Sequence, residues 1–324
     1  MTHAIRMHAQ GGPEVLQWEQ VEVARPGPGE ALIEHHAVGL NYIDVYHRSG
    51  SYPVQCPATP GLEAAGVVKE LGEGVVHLKV GDRVAYAGGP LGAYSEQRVI
   101  PADRLVKLPD ALSFEQGAAM MLQGMTAQYL LKRTYPVKAG ETILVHAAAG
   151  GVGLILCQWA RALGVDVIGT VSSDEKAELA RSHGCTHPVI YTRENFQERV
   201  MDITNGKKVP VVYDSIGRDT FTQSLESLAP LGTMVLYGAA SGPVPPFDLG
   251  LLAKMGSLFI TRPTLFTYTA QRPDLERISS DLFDVVISGQ VKLNINQRYP
   301  LREAAQAHRD LEARKTTGST VFTV

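Results

Sequence analysis

The chain has 324 residues, 44% of them hydrophobic and 19% charged, which leaves room for two domains with buried cores. Its net charge of −3 excludes a global drive toward nucleic acid or anionic membrane, and no unbroken apolar run nears the ~18 residues of a membrane span. Three cysteines (Cys56, Cys157, Cys185) exclude a disulfide framework, and MTHAIRMHAQGGPE lacks the apolar core of a secretory signal, so a reducing, cytoplasmic setting is expected.

Residues 1–110 are short apolar or alternating runs broken by Gly and Pro: VLQWEQVEV, EALIEHHAV, EAAGVVKEL, DRVAYAGG and YSEQRVI. They predict an antiparallel, barrel-like β domain, with PGPGE at 26–30 and VGDRV at 80–84 as turn-rich joints. The texture changes near 112, where LSFEQGAAMMLQGMTAQYLLKR has helical spacing. Ser113 is its predicted N-cap and Gln116 completes a capping box. Apolar runs then alternate with helices: TILVHAAA, a helix near 151–163, VDVIGTV, a helix near 174–183, PVIYT, a helix near 194–204, VPVVYDSI, a helix near 219–228, and GTMVLYG. Val- and Ile-rich runs separated by helices predict a parallel sheet buried on both faces. From about 262 strand and helix fragments return, with REAAQAHRDLEAR as a helix and STVFTV as a strand expected to rejoin the first domain.

In ILVHAAAGGVG (143–153), Gly150, Gly151 and Gly153 lie between a predicted strand and a predicted helix. Glycines there permit a tight turn, close approach of backbone N–H groups to a pyrophosphate, and close helix–strand packing, with the positive helix end toward the phosphates. Ala148 stands at the first glycine of the G-x-G-x-x-G fingerprint, Gly150 and Gly153 at the other two. Such a turn can be purely structural; the strand before, the helix after and the spacing of the second strand favour a dinucleotide. An NAD site ends that second strand with an acid for the ribose 2′-hydroxyl. Here Val171 is followed by Ser172 and Ser173, with Lys176 beyond. Two hydroxyls and an ammonium suit a 2′-phosphate, so NADPH is the expected cofactor. The competing reading makes Ser173 or Asp174 a helix cap and Lys176 a solvated charge. Asp174 and Glu175 are awkward neighbours for a phosphate unless they point away.

The stretches GLNYIDVYHRSGSYP (39–53), PGLEAAGVV (60–68), VGDRVAY (80–86), GETILVHAAAGGVGLILCQWA (140–160), VVYDSIGRDTF (211–221) and GSLFITRPTL (256–265) together resemble the zeta-crystallin-like quinone oxidoreductases. These form a zinc-free branch of the medium-chain dehydrogenase/reductase superfamily, and the resemblance covers essentially the whole chain. It implies an α/β protein with a GroES-like β-barrel catalytic domain over 1–122 and 263–324 and a Rossmann domain, a doubly wound parallel sheet, over 123–262. It further implies NADPH in the cleft between them, a quinone substrate and a homodimer. Cofactor contacts are implied at Ala149, Gly150, Gly151, Val152 and Gly153 in the turn, and at Ser215 and Gly238. Ser172, Ser173, Lys176 and Tyr191 resemble the 2′-phosphate and adenosine-ribose contacts. Arg314 resembles an arginine that reaches the phosphate end, and Asn41 and Thr126 resemble residues near the nicotinamide ribose and carboxamide.

Zinc alcohol dehydrogenases of the superfamily bind their catalytic metal through Cys, His and Cys. The cognate positions here are Asn41 and Leu62, and leucine has no lone pair. His183-Gly-Cys185-Thr-His187 contains ligand-type side chains but falls in a helix-to-strand joint, so no metal is expected. Without a Lewis acid an alcohol is hard to oxidise. A quinone is already electrophilic and needs placement, exclusion of water and donors for the hydroquinone anion. Tyr46 and Tyr52, flanking His47-Arg48-Ser49-Gly50, are expected to act with Asn41 by stacking on a flat ring and donating hydrogen bonds. Tyrosines that serve only the core, and an asparagine that only fixes a turn, are the alternatives. No residue stands out as a general acid. Reduction of an enone or enal C=C bond uses the same cofactor and a similar pocket and stays open. Zeta-crystallin relatives are also associated with single-stranded RNA; the charge of −3 and the lack of a basic cluster beyond Lys207-Lys208 speak against that as the main role.

Overall fold

The computed structural model describes residues 2–324, which form two compact units. The first runs to Met125 and takes in Thr269–Ile287 and Leu293–Val324; the second is Thr126–Tyr268 with Ser288–Lys292. The divisions at 125/126 and 268/269 lie slightly C-terminal of the domain edges expected from the sequence at 122/123 and 262/263.

The first unit opens with β1 (Thr2–Arg6), β2 (Gln17–Val21), β3 (Glu30–Leu40), α1 (Tyr42–Ser49), β4 (Glu63–Leu71), β5 (Arg83–Ala87), β6 (Gln97–Pro101), β7 (Val106–Lys107) and the larger part of α2 (Phe114–Tyr129). The predicted capping box begins α2: the Gln116 N–H donates to Ser113 Oγ (3.1 Å) and the Ser113 N–H to Gln116 Oε1 (2.8 Å). The second unit contributes β8 (Thr142–Val145), α3 (Gly151–Ala162), β9 (Asp166–Val171), α4 (Asp174–Ser182), β10 (His187–Ile190), α5 (Phe196–Ile203), β11 (Val209–Asp214), α6 (Phe221–Glu226), β12 (Leu228–Leu236), α7 (Gly250–Lys254), β13 (Phe259–Thr261) and α8 (Leu265–Tyr268). The chain then adds α9 (Arg272–Ile287), β14 (Ile295–Pro300), α10 (Ala304–Glu312) and β15 (Ser319–Thr323) to the first unit.

In the first unit a seven-stranded sheet runs β14-β15-β3-β4-β5-β7, with β6 also paired to β3, and β1–β2 form a separate antiparallel pair. The terminal STVFTV rejoins this unit as expected, β15 lying antiparallel to β3 with Thr320 opposite Leu40. Burial alternates along the first half of β3, placing Ala31, Ile33 and His35 inward, until a register shift between His35 and Ala37 breaks the period. The far end of β3 is covered on both faces. A Cβ at Gly39 would lie 2.2 Å from the Ala118 carbonyl of α2, so only glycine lets strand and helix meet there. That contact fixes where Asn41, two residues on, enters α1.

The second unit is a six-stranded parallel sheet in the order β10-β9-β8-β11-β12-β13. Counted from β8, this is the doubly wound order 3-2-1-4-5-6, and it reverses between β8 and β11. Such a switch point opens a crevice at the carboxyl ends of the two strands. Leu144, Ile168, Val189, Val212 and Met234 form the layer beneath, and α3 buries Leu154, Ile155, Leu156 and Trp159. At about 1.5–3 kcal/mol for each large apolar side chain, packing rather than intrinsic propensity holds the start of α3 in place. Among the described residues no helix is long and apolar enough to cross a membrane.

Candidate active site

In the second unit the chain leaves β8 at the switch point and turns into α3, with Gly150 as the helix N-cap. Ala147 takes the left-handed conformation (φ 55°), and its carbonyl accepts the Gly150 N–H at 2.9 Å. A Cβ at Gly153 would stand 2.3 Å from the Ala147 oxygen, so the helix packs this close to the turn only with glycine there. The alanine at the fingerprint's first position has a partner: a Cβ at Gly169 on β9 would lie 2.6 Å from the Ala148 Cβ. The missing side chain on β9 makes room for the methyl in the turn. The first N–H groups of α3 have no intrahelical acceptor and share the helix's positive end, which suits a pyrophosphate.

Beneath the turn lies a buried polar cluster that the sequence reading missed. His146, directly after β8, reaches Thr170 Oγ1 on β9 (3.0 Å) and Ser224 Oγ on α6 (2.8 Å). Asp214, at the end of β11, accepts the N–H groups of Ile216 (2.7 Å) and Gly217 (3.0 Å) and the hydroxyls of Thr220 (2.6 Å) and Ser224 (3.1 Å). Burial lowers the His146 pKa against the opposing pull of Asp214, which keeps the ring neutral. The cluster ties the ends of three strands together and shapes the loop carrying Ser215. Gly238, after β12, closes against that loop: a Cβ there would sit 2.5 Å from the Ser215 carbonyl.

At the end of β9, Ser173 caps α4, accepting the Lys176 N–H at 3.3 Å, and its hydroxyl helps hold the Glu175 carboxylate below its usual range. The capping role posed as the alternative is thus filled, while Ser172 and Lys176 stay at the same strand end. Asp174 is gripped by both terminal nitrogens of Arg193, at 2.9 and 2.5 Å. The Tyr191 N–H donates to Val171 O (3.1 Å) and Thr192 Oγ1 to Ser172 O (3.2 Å), drawing the loop after β10 alongside. Ser172, Ser173, Lys176 and Tyr191 therefore share one end of the sheet. Thr126, the first residue of this unit, is buried on α2 with its hydroxyl bonded to Tyr129. Arg314 belongs to the first unit, after α10, with φ 59°.

In the first unit Asn41 is the N-cap of α1 and is buried. Its Nδ2 donates to Glu63 Oε2 (2.5 Å), its Oδ1 accepts from Gln123 Nε2 (3.3 Å), and Gln123 Oε1 accepts the Ser319 hydroxyl (2.7 Å). Glu63 also accepts the Leu122 N–H (2.8 Å), and burial pushes its pKa up to about 8. The amide of Asn41 is thereby locked in one orientation. Tyr42 and Tyr46 on α1 and Tyr52 in the loop after it form a chain of ring contacts, with centroids 5.4 and 5.2 Å apart, and Tyr52 is 36% exposed. The helix is anchored from below. Arg48, itself buried, pairs with Glu312 through two 2.8 Å bonds and reaches His308 Nδ1 (3.4 Å). His308 Nε2 meets the Tyr94 hydroxyl (3.1 Å), which donates to Asp44 (2.9 Å). Burial lowers the His308 pKa to about 3 and raises that of Asp44 to about 7.

Neither zinc position offers a ligand set. Leu62 is buried and Asn41 is committed to Glu63 and Gln123. Of the other ligand-type residues, His183 turns to the Leu179 carbonyl (2.7 Å) and Cys185 to that of Val167 (3.6 Å). Among the described residues no three His, Cys, Asp or Glu are grouped to hold a metal ion.

A doubly wound sheet with this glycine turn, in a chain whose other unit is largely antiparallel, is the architecture of the nucleotide-dependent dehydrogenases. Residues 27–110 match the alcohol dehydrogenase GroES-like domain family and residues 151–280 the zinc-binding dehydrogenase family. The chain is 54% identical to a quinone oxidoreductase of Pseudomonas aeruginosa and 48% identical to quinone oxidoreductase 1 of Escherichia coli, each alignment covering 99% of both chains. It is 47% identical to a 2-haloacrylate reductase of a Burkholderia species, again over 99% of both. The solved Escherichia coli quinone oxidoreductase complexed with NADPH superposes with a TM-score of 0.98, covering 99% of this chain and 100% of the other. The chain belongs to the quinone oxidoreductase family of the medium-chain dehydrogenases/reductases.

Proposed function

We infer that the chain is an NADPH-dependent quinone oxidoreductase that works without a metal. The observation that carries this reading is the full-length likeness to quinone oxidoreductases, one of them solved with NADPH. The residues present fit that cofactor. Gly150, Gly151 and Gly153, with Ala149 and Val152 between and beside them, would hold the pyrophosphate, where a Cβ at Gly153 would collide with the turn. Ser172, Ser173, Lys176, Tyr191 and Arg314 would serve the 2′-phosphate and its ribose, and Thr126, Ser215 and Gly238 the nicotinamide end. When bound, NADPH supplies the hydride. The chain's own work is placement and charge stabilisation: Tyr46 and Tyr52 offer ring faces and hydroxyls to a flat acceptor, and the locked Asn41 amide offers its remaining N–H.

The test is nicotinamide absorbance with NADPH or NADH, with and without 1,4-benzoquinone, on chelator-treated protein. Quinone-dependent NADPH consumption that survives the chelator is expected. A preference for NADH would overturn the phosphate assignment, and loss on chelation would overturn the metal-free mechanism. The likeness to a 2-haloacrylate reductase favours a second reading, reduction of an activated C=C bond. Turnover of 2-chloroacrylate in place of benzoquinone would establish it.

The homodimer is part of the same proposal. Strand β13 ends the second sheet with Phe259 58% exposed, and Leu231 on the neighbouring β12 is 66% exposed. Sedimentation of the wild type against F259K tests this edge, with a monomer expected for the variant. Cytoplasmic residence is supported by three free cysteines and is checked by cell fractionation.

A further inference from the structure

We propose that Arg193 is a specificity residue for the cofactor, acting through Asp174: it occupies the carboxylate that would otherwise repel the 2′-phosphate. The inference rests on the NADPH reading above and deepens it. Asp174 is the first residue of α4, directly after Ser173, where an acid would disfavour a phosphate and welcome the 2′-hydroxyl of NADH. The structure engages three carboxylates near this strand end. Asp174 is held by two nitrogens of Arg193, and Glu175 by the Ser173 hydroxyl. Glu194 accepts the Ile190 N–H (2.9 Å) and pairs with Arg199 (3.1 Å). Arg193 is carried on the loop that Tyr191 and Thr192 pin beside β9, so its position is built into the backbone. With the Asp174–Arg193 and Glu194–Arg199 pairs counted as neutral, the charges of Glu175 and Lys176 balance, so unmasking Asp174 tips the local charge to negative.

The pair is exposed, so it contributes little to stability, and its loss acts mainly on ligand charge. An unmasked carboxylate close to a phosphate dianion, in a high dielectric and partly screened by salt, weakens NADPH by roughly three- to tenfold. The experiment is fluorescence titration of NADPH and NADH on wild type, R193A, D174N and R193A/D174N, at low and high salt. R193A is expected to raise the NADPH Kd three- to tenfold at low salt and less at high salt, leaving the NADH Kd within twofold. D174N is expected to restore NADPH affinity in the R193A background. Equal weakening of both cofactors by R193A, no weakening at all, or failure of D174N to rescue would overturn the proposal while leaving the NADPH reading intact. A wild type that binds NADH as tightly as NADPH would overturn both.

Discussion

Replacing Gly153 by alanine is expected to lower stability by about 1–2 kcal/mol net and to raise the KM for NADPH, although alanine is the better helix former. Propensity alone would make the change stabilising by up to ~1 kcal/mol. Against that gain, the added Cβ would stand 2.3 Å from the Ala147 carbonyl oxygen and 2.8 Å from the backbone C and Cα of Ala148. These are backbone atoms, so no rotamer change relieves the contact, and reaching an ordinary 3.4 Å separation means moving the turn or α3 by about 1 Å. Overpacking against backbone atoms falls toward the upper part of the range of about 1–3 kcal/mol, so about 1–2 kcal/mol of destabilisation remains once the propensity gain is subtracted. The part that moves is the turn assigned to the pyrophosphate, and a 1 Å misplacement can cost about a hundredfold, so a ten- to hundredfold rise in the NADPH KM is expected. G150A is the control for stability: its Cβ would lie 3.2 Å from the same oxygen, a strain of a few tenths of an ångström and a correspondingly small shift of the urea midpoint. Urea denaturation followed by tryptophan fluorescence, with Trp159 buried in α3 as reporter, measures the first quantity and steady-state kinetics the second. A G153A protein as stable as wild type or more so, with unchanged NADPH KM, would refute the packing argument by its sign.

Three further outcomes follow from the same geometry. G169A places a Cβ 2.5 Å from Cys185 Sγ and 2.6 Å from the Ala148 Cβ and should cost about 1–3 kcal/mol. Adding A148G should recover part of that loss in a urea double-mutant cycle, since the two sites touch. N41A should lower kcat/KM for the quinone about tenfold and destabilise by about 1–3 kcal/mol, because Glu63 and Gln123 lose a buried partner. Stability should also show two opposed pH arms. Burial lowers His35 and His308 from 6.5 to about 3, so between those values the unfolded chain binds more protons and stability rises with pH. Burial raises Asp44 from 3.8 to about 7 and Glu63 from 4.5 to about 8, so there the folded chain binds more protons and stability falls as pH rises. Urea midpoints at several pH values should show E63Q making the fall between about 6.5 and 8 shallower. Because the Glu63 window from 4.5 to about 8 overlaps that of the histidines, E63Q should also make the slope between 4.5 and 6.5 more positive, with the slope below 4.5 unchanged; an unchanged fall would contradict the burial argument.

The nucleotide half of the protein was legible because its signals are local. A run such as VDVIGTV followed by serines reads as a buried strand and a helix cap without reference to anything distant, and β9 and α4 appear there with Ser173 as the cap. The Ser113–Gln116 capping box is legible for the same reason, since three residues fix its geometry on any helix. What stayed hidden depends on which residues of different elements face each other. His146 and Thr170 are 24 positions apart, Asn41 and Glu63 are 22, and Asp174 and Arg193 are 19, and no periodicity within one segment encodes such pairs. Strand register and loop placement decide them, and those are set by packing of the whole sheet. Position 148 shows the consequence. Read along the chain, an alanine there weakens the dinucleotide fingerprint. Read across the sheet, the methyl sits opposite Gly169, so the small volume the motif requires is kept and only the strand that supplies it has changed.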